Sequence, residues 1–272
     1  MQGASRKALA EVREALEKLR GADETARLAS VGDGLFSVAG LLEGEVRLRR
    51  AVGDPALTVR AKSDLVHALL GGQLDEATLG IVERVVTSRW SQPGDLVDAL
   101  DTLGASATLM AAEAAGQLDD VEDELFRFSR IVDREPQLLM ALTDRGLPLE
   151  RKRELVHALL EGRALPATLR LVDEVVAHPR GRTLDRALEG YAALAAERRR
   201  RLVASVQVAL RLTPAEEARL VAALGREFGQ QVALQVEVDP SVLGGVRVHV
   251  RDFVIDGTVA GRLAEARRRL AG

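Results

Sequence analysis

Leu65-Val66-His67-Ala68-Leu69-Leu70 and Leu155-Val156-His157-Ala158-Leu159-Leu160 are one hexapeptide written twice, 90 residues apart. Sliding the chain by that period without a gap also pairs Leu35-Phe36 with Leu125-Phe126 and Asp54 with Asp144. It further pairs Ala77-Thr78-Leu79 with Ala167-Thr168-Leu169, and Val85-Val86 with Val175-Val176. From Leu28 to Val86 the shift gives 24 identities in 59 positions, far more than a chain rich in Leu, Ala, Val and Arg would give by chance. A repeat of this length sets the architecture before any single element is assigned.

Within each copy, apolar residues recur at three and four positions and breakers fall between the runs, which is the pattern of short amphipathic helices. In the first copy the helices are expected at about 5–20, 24–42, 45–52, 59–70, 76–89 and 95–115. The breaks are Gly21, Gly44, Asp54-Pro55, Gly71-Gly72 and Pro93-Gly94. The second copy runs from Leu118 to about Arg199, broken at Pro136, Pro148, Pro166 and Pro179. Helices with connections this short imply two tandem six-helix-type bundles, 1–104 and 105–200.

Past Arg201 the period changes to two. Leu202 to Val208 and Val232 to Val238 alternate with β-branched residues, as half-buried strands do. Between them Thr213-Pro214-Ala215-Glu216 has the form of a capping box with Pro at the first helical position, so a helix is expected to about Phe228. Val246 to Val250 and Phe253 to Ile255 form a hairpin around Arg251-Asp252, and Thr258 to Leu270 reads as a last helix with Val259, Leu263, Ala266 and Leu270 on one face. The fold class is therefore mainly α: two bundles followed by a small α/β domain, 201–272.

The chain has 272 residues, 47% hydrophobic and 29% charged, a globular balance. With no cysteine it can hold no disulfide or thiolate metal site. Its apolar runs fall far short of the roughly 20 residues of a membrane-spanning helix, and Met1 to Leu19 is charged rather than signal-like. A net charge of -3 gives no global field for nucleic acid, and 3% aromatic residues argue against base stacking. Arginine carries almost all the positive charge, since lysine occurs only at 7, 18, 62 and 152.

No constellation of catalytic residues appears. There is no G-x-x-x-x-G-K-[ST], no G-x-G-x-x-G after a strand, no H-E-x-x-H and no G-x-S-x-G. His67 and His157 recur at equivalent positions inside apolar runs, which marks them as structural; His249 alternates with Val248 and Val250 on a strand, and His178 precedes Pro179 in a loop. The acidic run Asp119 to Glu124 complements the dipole of the helix it opens. Arg198 to Arg201 reads as a solvated or partner-facing seam. No catalytic residue, cofactor or metal is assigned.

One further motif remains. Val238-Asp239-Pro240-Ser241-Val242-Leu243-Gly244-Gly245-Val246 is followed by Val254-Ile255-Asp256-Gly257-Thr258 and then Gly261-Arg262-Leu263. This order and spacing resemble the signature of the δ subunit of bacterial F-type ATP synthase, the oligomycin-sensitivity-conferring protein family. Asp239, Ser241, Gly244, Gly245, Asp256, Gly257 and Thr258 carry it. Physically it encodes structure: the Gly pair permits backbone conformations closed to other residues, Asp256 suits a turn and Thr258 a helix cap. Arg251 stands where the family often has Gly, and Arg6-Lys7-Ala8-Leu9 only partly echoes the family's usual N-terminal run. A typical member has one bundle; doubled forms resemble those of high-GC Gram-positive bacteria, which suits the arginine bias.

The resemblance implies a non-catalytic peripheral-stalk subunit on the cytoplasmic face of the plasma membrane, bound to it only through the complex. Its bundle would grip the N-terminal helix of an α subunit with its first and fifth helices, here Leu9, Val12 and Leu16 with Leu79, Val82 and Val86. Taken singly, each of those six residues fits the bundle core better than an interface. The C-terminal domain would meet the C-terminal region of the b-subunit stalk, with Val259, Leu263 and Leu270 as the contacting stripe. Without the signature, the same bundles would read as a helical adaptor of another assembly.

Overall fold

A computed structural model describes residues 3–21, 24–199, 202–228, 232–239, 242, 244–250 and 253–256. The chain divides into two units, Met1–Ala195 and Ala196–Gly272.

Among the described residues, eleven helices begin in the first unit. They are α1 (Gly3–Glu17), α2 (Glu24–Gly44), α3 (Val46–Gly53), α4 (Val59–Leu70), α5 (Glu76–Thr87), α6 (Pro93–Ala114), α7 (Leu118–Arg134), α8 (Pro136–Thr143), α9 (Leu149–Leu160), α10 (Pro166–Ala177) and α11 (Leu184–Arg199). The 90-residue shift maps α2 to α5 onto α7 to α10, and the prolines at 136 and 166 open helices, where a missing N–H costs nothing. Six helices per bundle from eleven requires one to be shared, and that helix is α6. It packs on α10 as α1 packs on α5. The residue-104 division drawn from the sequence falls inside it.

Each copy has its own core. Val12, Leu16, Leu28, Leu35, Val82, Val85, Leu100 and Met110 belong to the first; Leu125, Val156, Leu171, Val175, Leu188 and Tyr191 belong to the second. α6 serves both, with Leu96, Leu100 and Leu103 in one and Ala105, Leu109 and Ala112 in the other. It is therefore apolar around most of its circumference, as a helix packed on all sides must be. α2 is built the same way: Leu28, Val31, Leu35 and Leu42 face the first core, while Phe36 belongs to the second.

The α4–α5 and α9–α10 pairs keep one polar link in both copies. His67 Nε2 lies 3.4 Å from Glu83, and His157 Nε2 lies 3.0 Å from Asp173, the equivalent position. The two histidines thus stitch helices together.

The second unit contains β1 (Leu202–Val208), α12 (Pro214–Phe228), β2 (Val232–Val238), β3 (Val246–Val250) and β4 (Phe253–Asp256). The sheet order is β2-β1-β3-β4; β1 and β2 are parallel across the α12 crossover, and the other pairs are antiparallel. The capping box forms as the sequence predicts: Thr213 N donates to Glu216 at 2.8 Å, and Glu216 N donates back to the Thr213 hydroxyl at 3.4 Å. Ala204, Val206, Val248 and Val250 face Leu224 of α12 in a small apolar core. The hairpin tip at 251–252 and the expected last helix, 258–270, lie outside the described residues.

Candidate docking faces

The structure places the six residues expected on the first and fifth helices in the interior. Val12, Leu16, Leu79, Val82 and Val86 are buried in the first core, and Leu9 is half-buried against it. Of the two roles open to them at the sequence level, they fill the core one here. The outward positions of the same helices are others: Glu11 is exposed on α1, and Arg84 is exposed on α5. Ala15, Ala77 and Gly80 are half-buried, and a Cβ added at Gly80 would meet open space.

The equivalent face of the second copy, on α6 and α10, is covered. Asp33, Phe36, Gly40 and Glu43 recur at intervals of three and four along α2, so they form one stripe. Arg170 of α10 donates from Nε to Asp33 at 2.5 Å, and its guanidinium lies 4.4 Å from the centroid of the Phe36 ring. A Cβ at Gly40 would lie 3.1 Å from the His178 ring, and His178 pairs with Glu43 at 3.2 Å. Beneath the stripe is a buried charge network. Arg180 donates to Asp101 at 2.6 Å and to Glu174 at 2.9 Å, Arg182 donates to Asp101 at 2.9 Å, and the Tyr191 hydroxyl donates to Asp101 at 2.6 Å. Burial raises the Tyr191 phenol well above its ordinary value, and the neighbouring Asp101 carboxylate adds to it. Arg180 takes up a left-handed backbone, φ 48°, to aim its guanidinium inward.

None of this network stood out in the sequence, because its members come from three separate helices and a loop. A signal was present in the repeat: Gly80 of the open face is replaced by Arg170, and exposed Arg84 by buried Glu174.

In the signature of the second unit, Gly244 and Gly245 take φ of 65° and 87°, a region that side chains disfavour, as the sequence implies. The Asp239 amide donates to the Val208 carbonyl, tying the motif to the end of β1. Asp256 ends β4. Ser241, Gly257, Thr258, Val259, Leu263 and Leu270 lie outside the described residues. Arg198, expected in a solvated or partner-facing seam, is buried, so water is not its environment. Among the described residues no group of acidic or histidine side chains could hold a metal, and no helix is long and apolar enough to cross a membrane.

Two helical bundles that share α6, followed by a small α/β domain with a structural Gly-Gly motif, define the class by fold: a mainly α protein with an α/β C-terminal domain. Residues 104–270 match the ATP synthase delta (OSCP) subunit family. The chain is 47% identical to "ATP synthase subunit delta" of Thermobifida fusca over 100% of both chains. It is 50% identical to the protein of that name from Streptomyces avermitilis, over 99% of this chain and 98% of the relative. The chain belongs to the ATP synthase delta (OSCP) subunit family.

Proposed function

We propose that this chain is a stator component of an F-type ATP synthase: it ties the α subunits of the catalytic head to the b-subunit stalk and resists rotor torque without chemistry of its own. The observation that carries the reading is similarity to proteins named ATP synthase subunit delta along the whole chain, both bundles included. The bundle region takes the N-terminal helix of an α subunit, and the C-terminal α/β domain meets the C-terminal end of the b stalk. The complex holds the chain at the cytoplasmic face of the plasma membrane. An amphipathic helix laid along a helix pair is an ordinary recognition mode, and α1/α5 offers small residues that permit close approach beside two opposite charges, Glu11 and Arg84.

The test is titration of the full-length chain against isolated catalytic heads and against a peptide of the α-subunit N-terminus. Binding to both at micromolar concentration or below is expected. Absence of binding to either overturns the reading.

A further inference from the structure

The two copies of the bundle are not equal as binding modules. Among the described residues nothing covers the α1/α5 face of the first copy, while its counterpart on α6/α10 already carries a helix, α2 of the same chain. We propose that α2 is a built-in ligand of the second copy, so that each chain offers one helix-docking face, on α1/α5, and not two. This rests on the proposed grip on an α-subunit helix and says where on the chain that grip falls.

The argument runs position by position across the 90-residue shift. Arg170 ties α10 to Asp33 and covers the Phe36 ring; its counterpart Gly80 faces open space. Glu174 is buried and bonded to Arg180, whereas its counterpart Arg84 is exposed. Asp101 is 1% exposed beneath the same contact, whereas Glu11, 90 residues earlier, is exposed. The stripe on α2 is itself what a docked helix should present, with an aromatic ring at the centre, a glycine allowing close approach and a carboxylate at each end. The family match spans residues 104–270, from inside α6 through the second bundle and the α/β domain, and the relatives match both bundles. Similarity alone therefore does not choose between the two faces; the packing favours α1/α5.

Because the chain has no cysteine, Asp33→Cys with Arg170→Cys creates a unique pair. Both side chains are partly exposed and can be reached by a short bismaleimide. The full-length chain, cross-linked and not, is titrated calorimetrically with the α-subunit N-terminal peptide. Near-complete cross-linking is expected, with one peptide bound per chain and affinity unchanged within about two-fold in both forms. Gly80→Trp in the uncross-linked chain should weaken binding at least ten-fold while leaving its circular dichroism unchanged, and Arg84→Glu should weaken it without adding bulk. Two peptides per chain falling to one on cross-linking overturns the inference, as does a single site that survives both α5 variants. Failure of the cross-link to form also overturns it. If no peptide binds either form, the proposed grip itself falls, and the cross-linking yield still decides whether α2 closes the second face.

Discussion

Asp101 and Tyr191 stand 90 residues apart, the period of the repeat, and the Tyr191 hydroxyl donates to the Asp101 carboxylate at 2.6 Å. Ser5 and Asp95 show the same 90-residue link one repeat earlier, the Ser5 hydroxyl donating to Asp95 at 2.7 Å. α1, α6 and α11 are thus successive members of one series, each bonded to the next. The first unit is accordingly two five-helix repeats closed by α11, and α6 belongs to both bundles because it is the start of the second repeat.

Arg180, Arg182 and Tyr191 all donate to the Asp101 carboxylate in the interior. Arg180→Ala leaves Asp101 and Glu174 buried without their main counter-charge, and losing one partner of a buried pair costs about 3–5 kcal/mol. Tyr191→Phe removes one hydrogen bond to a charged acceptor and keeps the ring, so about 1.5–3 kcal/mol is expected. Denaturant unfolding followed by helical circular dichroism measures both. A smaller loss for Arg180→Ala than for Tyr191→Phe would refute this ordering.

Phe36 and Phe126 are equivalent in the repeat but not in environment. Phe36 is 1% exposed, tilted against Tyr191 at 6.5 Å between ring centroids, whereas Phe126 is 61% exposed. Phe36→Ala is expected to cost about 3–5 kcal/mol, the range for a buried aromatic. Phe126→Ala should stay within about 0.5 kcal/mol, as for a surface change. Equal losses at the two positions would mean that α2 does not cover the second copy.

α2 and α6 run close together where both lack side chains. A Cβ at Gly104 would lie 2.8 Å from the Phe36 ring, and one at Gly32 would lie 2.7 Å from the Thr108 hydroxyl and 3.2 Å from the Gly104 carbonyl. Ala ordinarily favours a helix over Gly by about 0.5–1 kcal/mol. Here overpacking, typically 1–3 kcal/mol, should outweigh that gain. Gly32→Ala should be the worse of the two, because a backbone carbonyl stands in its way. Melting temperatures of the two variants against the parent chain test the sign.

The helices were legible because their evidence is local and stated twice: Pro136 and Pro166 open second-copy helices, and the Leu65 and Leu155 hexapeptides sit in α4 and α9. The strands at 202–208 and 232–238 were equally plain from period-two alternation, and Thr213-Pro214-Ala215-Glu216 announced α12. The faces were not legible. Val12, Val82 and Val86 have the spacing of an apolar stripe whether that stripe meets a core or a partner, and periodicity cannot separate the two. Nor could it show that Asp33, Phe36, Gly40 and Glu43 form a second working face on α2, since a helix packed on both sides has no clean amphipathic period. The sharing of α6 was implicit in the 90-residue shift, which carries α1 onto its first turns, yet only packing distinguishes one long shared helix from two abutting ones.

The two copies cap their fifth helices by different means, and this gives a pH-dependent test. Asp75 caps α5, accepting from the Thr78 amide at 2.9 Å and from its hydroxyl at 2.7 Å. At the matching position α10 has Leu165, and the missing acceptor comes from Glu124 of α7, which takes the Leu165 amide at 3.0 Å and the Thr168 hydroxyl at 2.5 Å. Glu124 occupies the position of Gly34, where any side chain would collide with Thr78, since a Cβ there would lie 2.6 Å from its methyl group. Burial pushes the Asp75 carboxyl up, but bonds from the Thr78 side chain and amide, the Ala77 amide and Ser30 outweigh it and hold it below its ordinary value. A carboxylate lowered in the folded state stabilises above its unfolded pKa, about 3.9, and that contribution disappears as pH falls through the folded value. Asp75→Ala should therefore cost about 1 kcal/mol at pH 7. The difference from the parent should shrink steadily below about pH 4, as the parent's own cap becomes protonated. Unfolding curves of the pair between pH 7 and pH 3 measure it, and a gap that widens on acidification would exclude the charged cap as its source.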